Sequence, residues 1–280
     1  MTEYTIREVE SRRDLKKFIR FPLELYKGCD QYVPPLFKGQ EHELMHAAPL
    51  KYCTRKMWIV EDAGGKVVGR ICAMINPRYN EKYGKKRARF GWFDLINDMK
   101  VAQMLFEAAE SWAKAEGMDE IHGPLYYNTL GRQGMLVEGF DKLAPFSCIY
   151  NYPYYVDIVT GLGFEKECDW IQYMMPADQG VDERMTAIAE RMMARYKIHV
   201  ADFDELKKDP ENIRKFFKAY NESFDGIVHN FIPFTDEEIE EEVKQIIGQL
   251  DSRLCCVLMD EDNEVAAFGI STACVSRAMQ

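Results

Sequence analysis

Apolar residues recur along the first half of the chain with two periods, which predict alternating strands and helices. Met57–Asp62 and Val67–Asn76 are apolar runs separated by four residues with two glycines, a pattern that predicts an antiparallel hairpin. Between residues 99 and 116, apolar side chains recur at spacings of three and four, so we predict a helix that packs one face on a sheet. Asn97-Asp98 precedes this helix and favours its N-terminus.

The same patterns predict the other elements of this half. We expect strands at 5–9, 88–96, 120–123 and 169–175, and helices at 17–26, 39–48 and 154–162. Two prolines make residues 32–36 an extended connector, because proline removes a backbone donor and fixes φ. The resulting order predicts an α/β or mixed α+β fold, with a central mixed sheet flanked by helices.

From about residue 178 the pattern begins a second round. It predicts helices at 182–195, 211–223 and 235–250, and strands at 198–201, 254–259 and 265–272. A sheet of two or three strands with an apolar face is marginal alone. The sequence therefore predicts a first domain over 1–176 and a partial second copy over 177–280 that lacks a fourth strand. Either the chain is truncated, or its second half packs on the first domain.

Charge and cysteine usage narrow the function classes. The net charge of -10 disfavours nucleic acid and anionic membrane surfaces as partners, because both repel an acidic protein. The eight cysteines form no C-x-x-C pair, and the chain has neither a signal-peptide pattern nor a bilayer-spanning apolar run, which predicts a reduced, cytoplasmic protein. His42 and His46 stand four apart without an evident third ligand, so we expect no metal site. A small molecule or a peptide is the expected partner, and the oligomeric state stays open.

Several segments resemble a known family. N-Y-P-Y-Y-V-D-I-V-T-G-L-G-F at 151–164 looks like the fourth-helix motif of the GNAT superfamily of acyl-CoA N-acyltransferases, and the element order over 4–175 is similar to that of the family. V-V-G-R-I-C-A-M-I-N, F-G-W-F-D, G-P-L-Y-Y-N and L-V-E-G-F-D, within 66–175, resemble an uncharacterised bacterial subgroup with tandem GNAT-like domains. The resemblance implies a GNAT-like fold that transfers an acyl group, expected to be acetyl, from acetyl-CoA or another acyl-CoA to an amine of a small molecule or peptide.

The resemblance also implies roles for individual residues. Gly91 matches the family's β-bulge at the thioester. Asp94 after it is expected to be the base, and its alternative role is to cap the turn. In the family a tyrosine acts as the general acid, and its position corresponds to Val159 in this chain. Tyr154 or Tyr155 is therefore expected to protonate the leaving thiolate. The residues expected to hold the cofactor are Phe93, Asn97, Lys100, Val101, Ala102 and Asn151.

The phosphate loop departs from the family pattern, since 97–102 keeps only the final small residue, Ala102. Asp98 would repel a pyrophosphate by about 1–4 kcal/mol, and its alternative role is to cap the following helix. Residues 124–150 are too long for a simple connector and are expected to cover the acceptor site, with Asn128 and Arg132 binding substrate. For Arg132, a surface salt bridge is the alternative.

Two further function classes stay open. A non-catalytic GNAT-like ligand-binding or scaffold domain would explain the altered loop and Val159. A Fem-type aminoacyl transferase would need no CoA loop, but the acidic charge is unhelpful for tRNA.

Overall fold

The computed structural model describes residues 3–176, 180–245 and 247–280. The chain divides into two compact units, and each is described by itself. The first unit comprises residues 1–168 and 274–280, and the second comprises residues 169–273.

The first unit is built on one mixed sheet of five strands in sequential order. The strands are β1 (Tyr4–Glu8), β2 (Thr54–Asp62), β3 (Val67–Ile75), β4 (Arg87–Leu95) and β5 (Glu120–His122). β1 to β4 are antiparallel neighbours, whereas β5 runs parallel to β4. β2 and β3 form the predicted hairpin. Because the sheet contains both antiparallel and parallel neighbours and is flanked by helices, the predicted mixed α+β fold class is confirmed.

Five helices of the first unit flank this sheet. They are α1 (Arg12–Leu25), α2 (Phe37–Met45), α3 (Pro77–Tyr83), α4 (Met99–Ala115) and α5 (Tyr154–Gly161). α3 was missing from the predicted elements, although Asn76 caps it by accepting the Tyr79 N–H and Gly84 ends it in the left-handed conformation. An asparagine, a proline at the first position and a final glycine are a helix signal in the sequence.

Each face of the sheet buries its own apolar cluster. α4 and α5 pack on one face through residues such as Leu105, Phe106 and Ile158. α1 and α2 cover the other face, where Phe18 and Leu44 are completely buried. The approach of α4 is close, since a Cβ at Gly69 of β3 would lie 2.6 Å from the Val101 side chain.

β4 parts from β5 after a short paired stretch. Pairing runs only from Arg87–Arg89 to Glu120–His122. In the same region the register between β3 and β4 shifts beside Gly91, and Trp92 has a φ of 43°. The expected β-bulge is therefore confirmed, and it opens the sheet along the second half of β4.

The second unit contains a three-stranded antiparallel sheet. Its elements are α6 (Glu183–Tyr196), β6 (His199–Val200), α7 (Phe203–Leu206), α8 (Pro210–Phe224), α9 (Asp236–Gln245), β7 (Cys255–Met259) and β8 (Val265–Ile270), and α10 (Ser276–Met279) follows in the C-terminal part of the first unit. Phe216, Phe217 and Val257 form the centre of its apolar cluster. α6 buries none of its side chains.

Two predicted elements are wrong. Residues 165–176 form no strand, and Tyr173 and Met174 are 85% and 86% exposed. Apolar alternation predicts a strand, but a strand also needs backbone partners, and no described segment pairs with these residues. The helix predicted over 235–250 ends at Gln245, and a short 3-10 turn follows at Ile247–Gln249.

None of the described helices combines the length and the apolar character needed to cross a bilayer. Among the residues that the structure describes, no group of three or more histidine, cysteine or acidic side chains is arranged to hold a metal ion.

Candidate active site

A buried ion pair lies where β4 leaves β5. Asp94 on β4 accepts hydrogen bonds from Nε and Nη2 of Arg70 on β3, both at 2.7 Å to the same oxygen, Oδ2. Arg70 is also held by the Phe18 carbonyl, which accepts from Nη1 at 2.8 Å. Because both side chains are buried, each depends on the other to compensate its lost hydration.

The second carboxylate oxygen of Asp94 accepts a hydrogen bond from the first of two linked tyrosines. Tyr26, at the C-terminal end of α1, donates its hydroxyl to Oδ1 of Asp94 at 3.1 Å. The Tyr26 oxygen lies 2.9 Å from the hydroxyl oxygen of Tyr155 on α5. Tyr155 in turn accepts the Leu95 N–H at 3.1 Å. A continuous hydrogen-bonded chain therefore runs from the Leu95 amide to the Asp94 carboxylate.

Tyr154 hydrogen-bonds to the carbonyl of Leu95, the residue whose N–H is bound by Tyr155. Its hydroxyl donates to the Leu95 carbonyl at 2.7 Å. Ile96 N–H bonds to Val68 in β3, so the polar groups of Leu95 point to the open side of β4. The two neighbouring tyrosines of α5 thus satisfy the backbone groups of Leu95 on the open side of β4.

The surroundings keep these tyrosines protonated. Burial, followed by the nearby Asp94 charge, raises the pKa of Tyr155 well above its usual value. Burial also raises the pKa of Tyr26 and of Tyr154. At neutral pH all three hydroxyls therefore carry protons that they can donate.

The ion pair and Tyr155 line a small cavity of about 40 Å³ that is partly open to solvent. Arg132 and Asn151, both predicted site residues, line it as well. Arg132 donates Nη2 to the Phe146 carbonyl at 2.7 Å, and Asn151 exchanges hydrogen bonds with the backbone of Leu136. Part of the wall is aromatic and consists of Tyr32, Trp92, Phe93, Tyr126 and Tyr150 together with Tyr155.

The N-terminus of α4 has a different character. Asp98 accepts the Lys100 N–H at 2.9 Å through Oδ1 and the Tyr4 hydroxyl at 2.8 Å through Oδ2, so its role as the helix cap is confirmed. Asn97 and Lys100 have exposed side chains, whereas Val101 and Ala102 are buried in the core below α4.

These observations test how well the site suits a CoA thioester. The strand split and the cavity beside it fit the thioester end, because polar groups converge on an apolar space there. At the α4 tip the Asp98 carboxylate already accepts the Lys100 N–H, so a pyrophosphate bound there would meet a negative charge.

The structure gives Asn128 a local contact and adds two residues that the sequence analysis did not name. Asn128 accepts the N–H groups of Leu130 and Gly131 and so stabilises a turn. Arg70 was missed, although a lone arginine inside the apolar run of β3 requires a counter-ion and Asp94 was already a candidate. Tyr26 gave no signal, because its partners lie 68 and 129 residues away along the chain.

No family model matches the sequence. Protein YghO of Escherichia coli strain K12 is 29% identical over 272 residues, which cover 92% of this chain and 68% of that protein. Bacterial ceramide synthase of Caulobacter vibrioides is 28% identical over 254 residues, which cover 88% of this chain and 64% of that protein. The chain thus spans about two thirds of the length of these curated relatives.

A solved structure extends the likeness to the fold. A tandem GNAT protein from the clavulanic acid biosynthesis pathway covers 95% of this chain and 73% of its own, with a TM-score of 0.51 and 11% identity. Its likeness therefore concerns backbone architecture rather than side-chain chemistry. Together with the mixed sheet that opens beside β4, it shows that this chain has the fold of the GNAT superfamily.

Proposed function

We propose that the first unit is an acyl-CoA-dependent N-acyltransferase whose acceptor is the amine of a small molecule or peptide. One observation carries the proposal: Asp94, a carboxylate, and Tyr155, a protonated phenol, face the same cavity at the strand split. Acyl transfer to an amine needs a base for the nitrogen and an acid for the leaving thiolate.

Each residue then has a distinct task. Asp94 takes the proton from the amine, and Arg70 holds the carboxylate in a fixed orientation through Oδ2. Tyr155 donates a proton to the thiolate, and Tyr154 fixes the Leu95 backbone beside it. Acyl-CoA supplies the activated acyl group when bound.

The cavity favours an acceptor that also carries an anionic group. The guanidinium of Arg132 lies on its wall, and a guanidinium matches a carboxylate or phosphate in charge and geometry. The aromatic wall suits an apolar portion between that group and the amine. Asn128 supports this arrangement through the turn just before Arg132.

The donor is proposed to lie along β4 towards α4. Phe93 and Asn151 line the cavity side, and Asn97 and Lys100 present exposed side chains beside the α4 tip. Val101 and Ala102 can contribute only backbone there, because their side chains are in the core. We expect acetyl as the acyl group, with longer chains as the tested alternative.

A second candidate acceptor is an amine with a long apolar chain. The 28% identity with a bacterial ceramide synthase favours it, and the aromatic side chains in the wall are compatible with contact to an apolar chain.

The test is CoA release by the full chain with acetyl-CoA and palmitoyl-CoA. The amine panel contains an amino acid, glucosamine 6-phosphate, a short peptide and a long-chain amino alcohol. Asp94→Asn should lower turnover by about 10²-fold or more, whereas Asp157→Asn, an exposed change on α5, should not.

Thermal unfolding with each acyl-CoA gives an independent measurement. A ligand at 100 times its Kd should stabilise the chain by about 2.7 kcal/mol. No stabilisation and no CoA release with any pair would overturn the proposal and favour the non-catalytic scaffold function.

A further inference from the structure

The hydrogen-bonded chain behind the cavity has only one allowed order of protons. An ionised carboxylate only accepts hydrogen bonds, so Tyr26 must donate its single proton to Oδ1 of Asp94. Tyr26 therefore accepts from Tyr155, at 2.9 Å. The Leu95 N–H donates to Tyr155 and completes a chain in which every hydroxyl points towards Asp94.

We propose that Tyr26 is a proton relay between Asp94 and Tyr155, so that each proton taken up by the base is matched by one delivered to the acid within the same turnover. This inference rests on the proposed acyl transfer. Tyr26 is 3% exposed and Tyr155 is 1% exposed, so neither side chain offers much surface to bulk water. With a substrate in the cavity, the hydroxyl of Tyr26 is then the proton source nearest to Tyr155, at 2.9 Å.

The proton balance closes after one cycle. Asp94 removes a proton from the amine as the C–N bond forms, and the chain of hydroxyls reverses, with Asp94 donating to Tyr26 and Tyr26 donating to Tyr155. Tyr155 then gives its proton to the thiolate sulfur as the C–S bond breaks, Tyr26 reprotonates Tyr155, and Asp94 reprotonates Tyr26. Asp94 is again a carboxylate, and every hydroxyl points towards it as before.

The contacts around the chain suit this role. Both short contacts of Arg70 fall on Oδ2 of Asp94, which leaves Oδ1 for Tyr26. The Leu95 N–H donates to the Tyr155 oxygen and stabilises negative charge that forms there during transfer. The ring of Tyr26 stacks on Tyr32 with centroids 4.3 Å apart, which holds its hydroxyl between the two partners.

The test compares Tyr26→Phe with Tyr152→Phe in the full chain. Tyr152 is a matched control because its ring lies 5.1 Å from that of Tyr26, while its hydroxyl donates to the Leu25 carbonyl at 3.4 Å and not to Asp94 or Tyr155. With an acyl-CoA donor, Tyr26→Phe should lower kcat by about 10²-fold and leave the KM for either substrate within about threefold. Tyr152→Phe should keep the kcat of the unaltered chain.

The leaving group separates a relay from a purely structural role. An acyl thioester of 4-nitrothiophenol releases a thiolate that needs no proton, so Tyr26→Phe should recover to within about threefold of the unaltered chain with this donor. An equal defect with both donors would overturn the relay, as would full activity of Tyr26→Phe with acyl-CoA.

A readout without substrate completes the test. In Tyr26→Phe, Tyr155 loses its acceptor and turns, so the Leu95 amide resonance should shift, and in Tyr152→Phe it should stay in place. An unmoved Leu95 resonance in Tyr26→Phe would contradict the chain itself. If the unaltered chain neither binds acyl-CoA nor transfers an acyl group while this resonance shifts, the proposed function fails and the hydrogen-bonded chain stands.

Discussion

The two units begin with a similar order of elements and bury it very differently. In the first, β1, two helices and the β2–β3 hairpin are followed by β4 and α4, and β3 is buried from Val68 to Ile75. In the second, β6 is followed by three helices and the β7–β8 hairpin. The described sheet consists of these three strands, and no residue of β8 is fully buried. A hairpin becomes core only when a further strand and a helix cover it.

The difference also decides where chemistry can occur. Asp94 lies on β4, and the described sheet of the second unit has no strand that corresponds to β4. The cavity opens where β4 is no longer paired with β5. The same local sequence pattern therefore gives a site in one unit and a bare sheet edge in the other.

The largest expected contrast is between the two amphipathic helices, α4 and α6. Leu105→Ala removes a completely buried side chain of α4 and should cost about 2–5 kcal/mol. Met192→Ala removes a side chain of α6 that is 49% exposed and should change stability by less than about 0.5 kcal/mol. Denaturant unfolding, with hydrogen exchange to assign each unit, measures both. A costly Met192→Ala would mean that α6 is covered in solution.

The next contrast depends on pH. Burial, reinforced by Arg89 and opposed by Glu167, lowers the pKa of His122 on β5 to about 4 from 6.5. Between these values the unfolded chain binds a proton that the folded unit does not, so stability is full above pH 6.5 and falls towards pH 4, by on the order of 3 kcal/mol. His122→Gln should flatten this slope in unfolding experiments across that range. The control is His199→Gln, at an exposed position of β6, which should leave the slope intact.

Two glycines in corresponding hairpins provide a smaller contrast. Gly69→Ala in β3 places a Cβ 2.6 Å from Val101, so α4 must move, at a cost of about 1–3 kcal/mol. Gly269→Ala in β8 meets no atom within 4 Å and should be neutral or stabilising, by about 0.5–1 kcal/mol. Thermal unfolding of the two variants measures the difference, and equal effects would show that α4 does not press on β3.

The smallest contrast is between two helix caps. Asp98→Ala loses the bonds to Lys100 and Tyr4 and should cost about 0.5–2 kcal/mol, whereas Asp182→Ala loses the cap of a helix that buries nothing and should cost less. Because the Asp98 carboxylate repels phosphate, Asp98→Ala should also tighten acyl-CoA binding in titration calorimetry. Unchanged or weaker binding would argue against a pyrophosphate at the α4 tip.

Sequence patterns predicted most of the first unit because its elements are locally marked. The glycines between β2 and β3 and the cap before α4 identified both elements, and Gly91 identified the bulge. The patterns failed at 169–175, where strand-like alternation has no described partner. Periodicity states which side chains need burial, and only the tertiary structure states what buries them.

The candidate site was less predictable for a similar reason. Asp94 and Tyr155 could be proposed from the family resemblance, and the structure brings both to one cavity. Arg70 and Tyr26 contact them from β3 and α1, and no local pattern connects residues so far apart in the chain.

The bridging of Leu95 by Tyr154 and Tyr155 has a consequence for self-association. An open strand exposes backbone groups that can pair with another molecule, which is how sheet edges start to aggregate. Two hydroxyls from adjacent positions of one helix already satisfy the amide and the carbonyl that β4 would otherwise offer. A protein whose sheet is split for function can in this way avoid pairing with other copies through the open strand, even at high concentration.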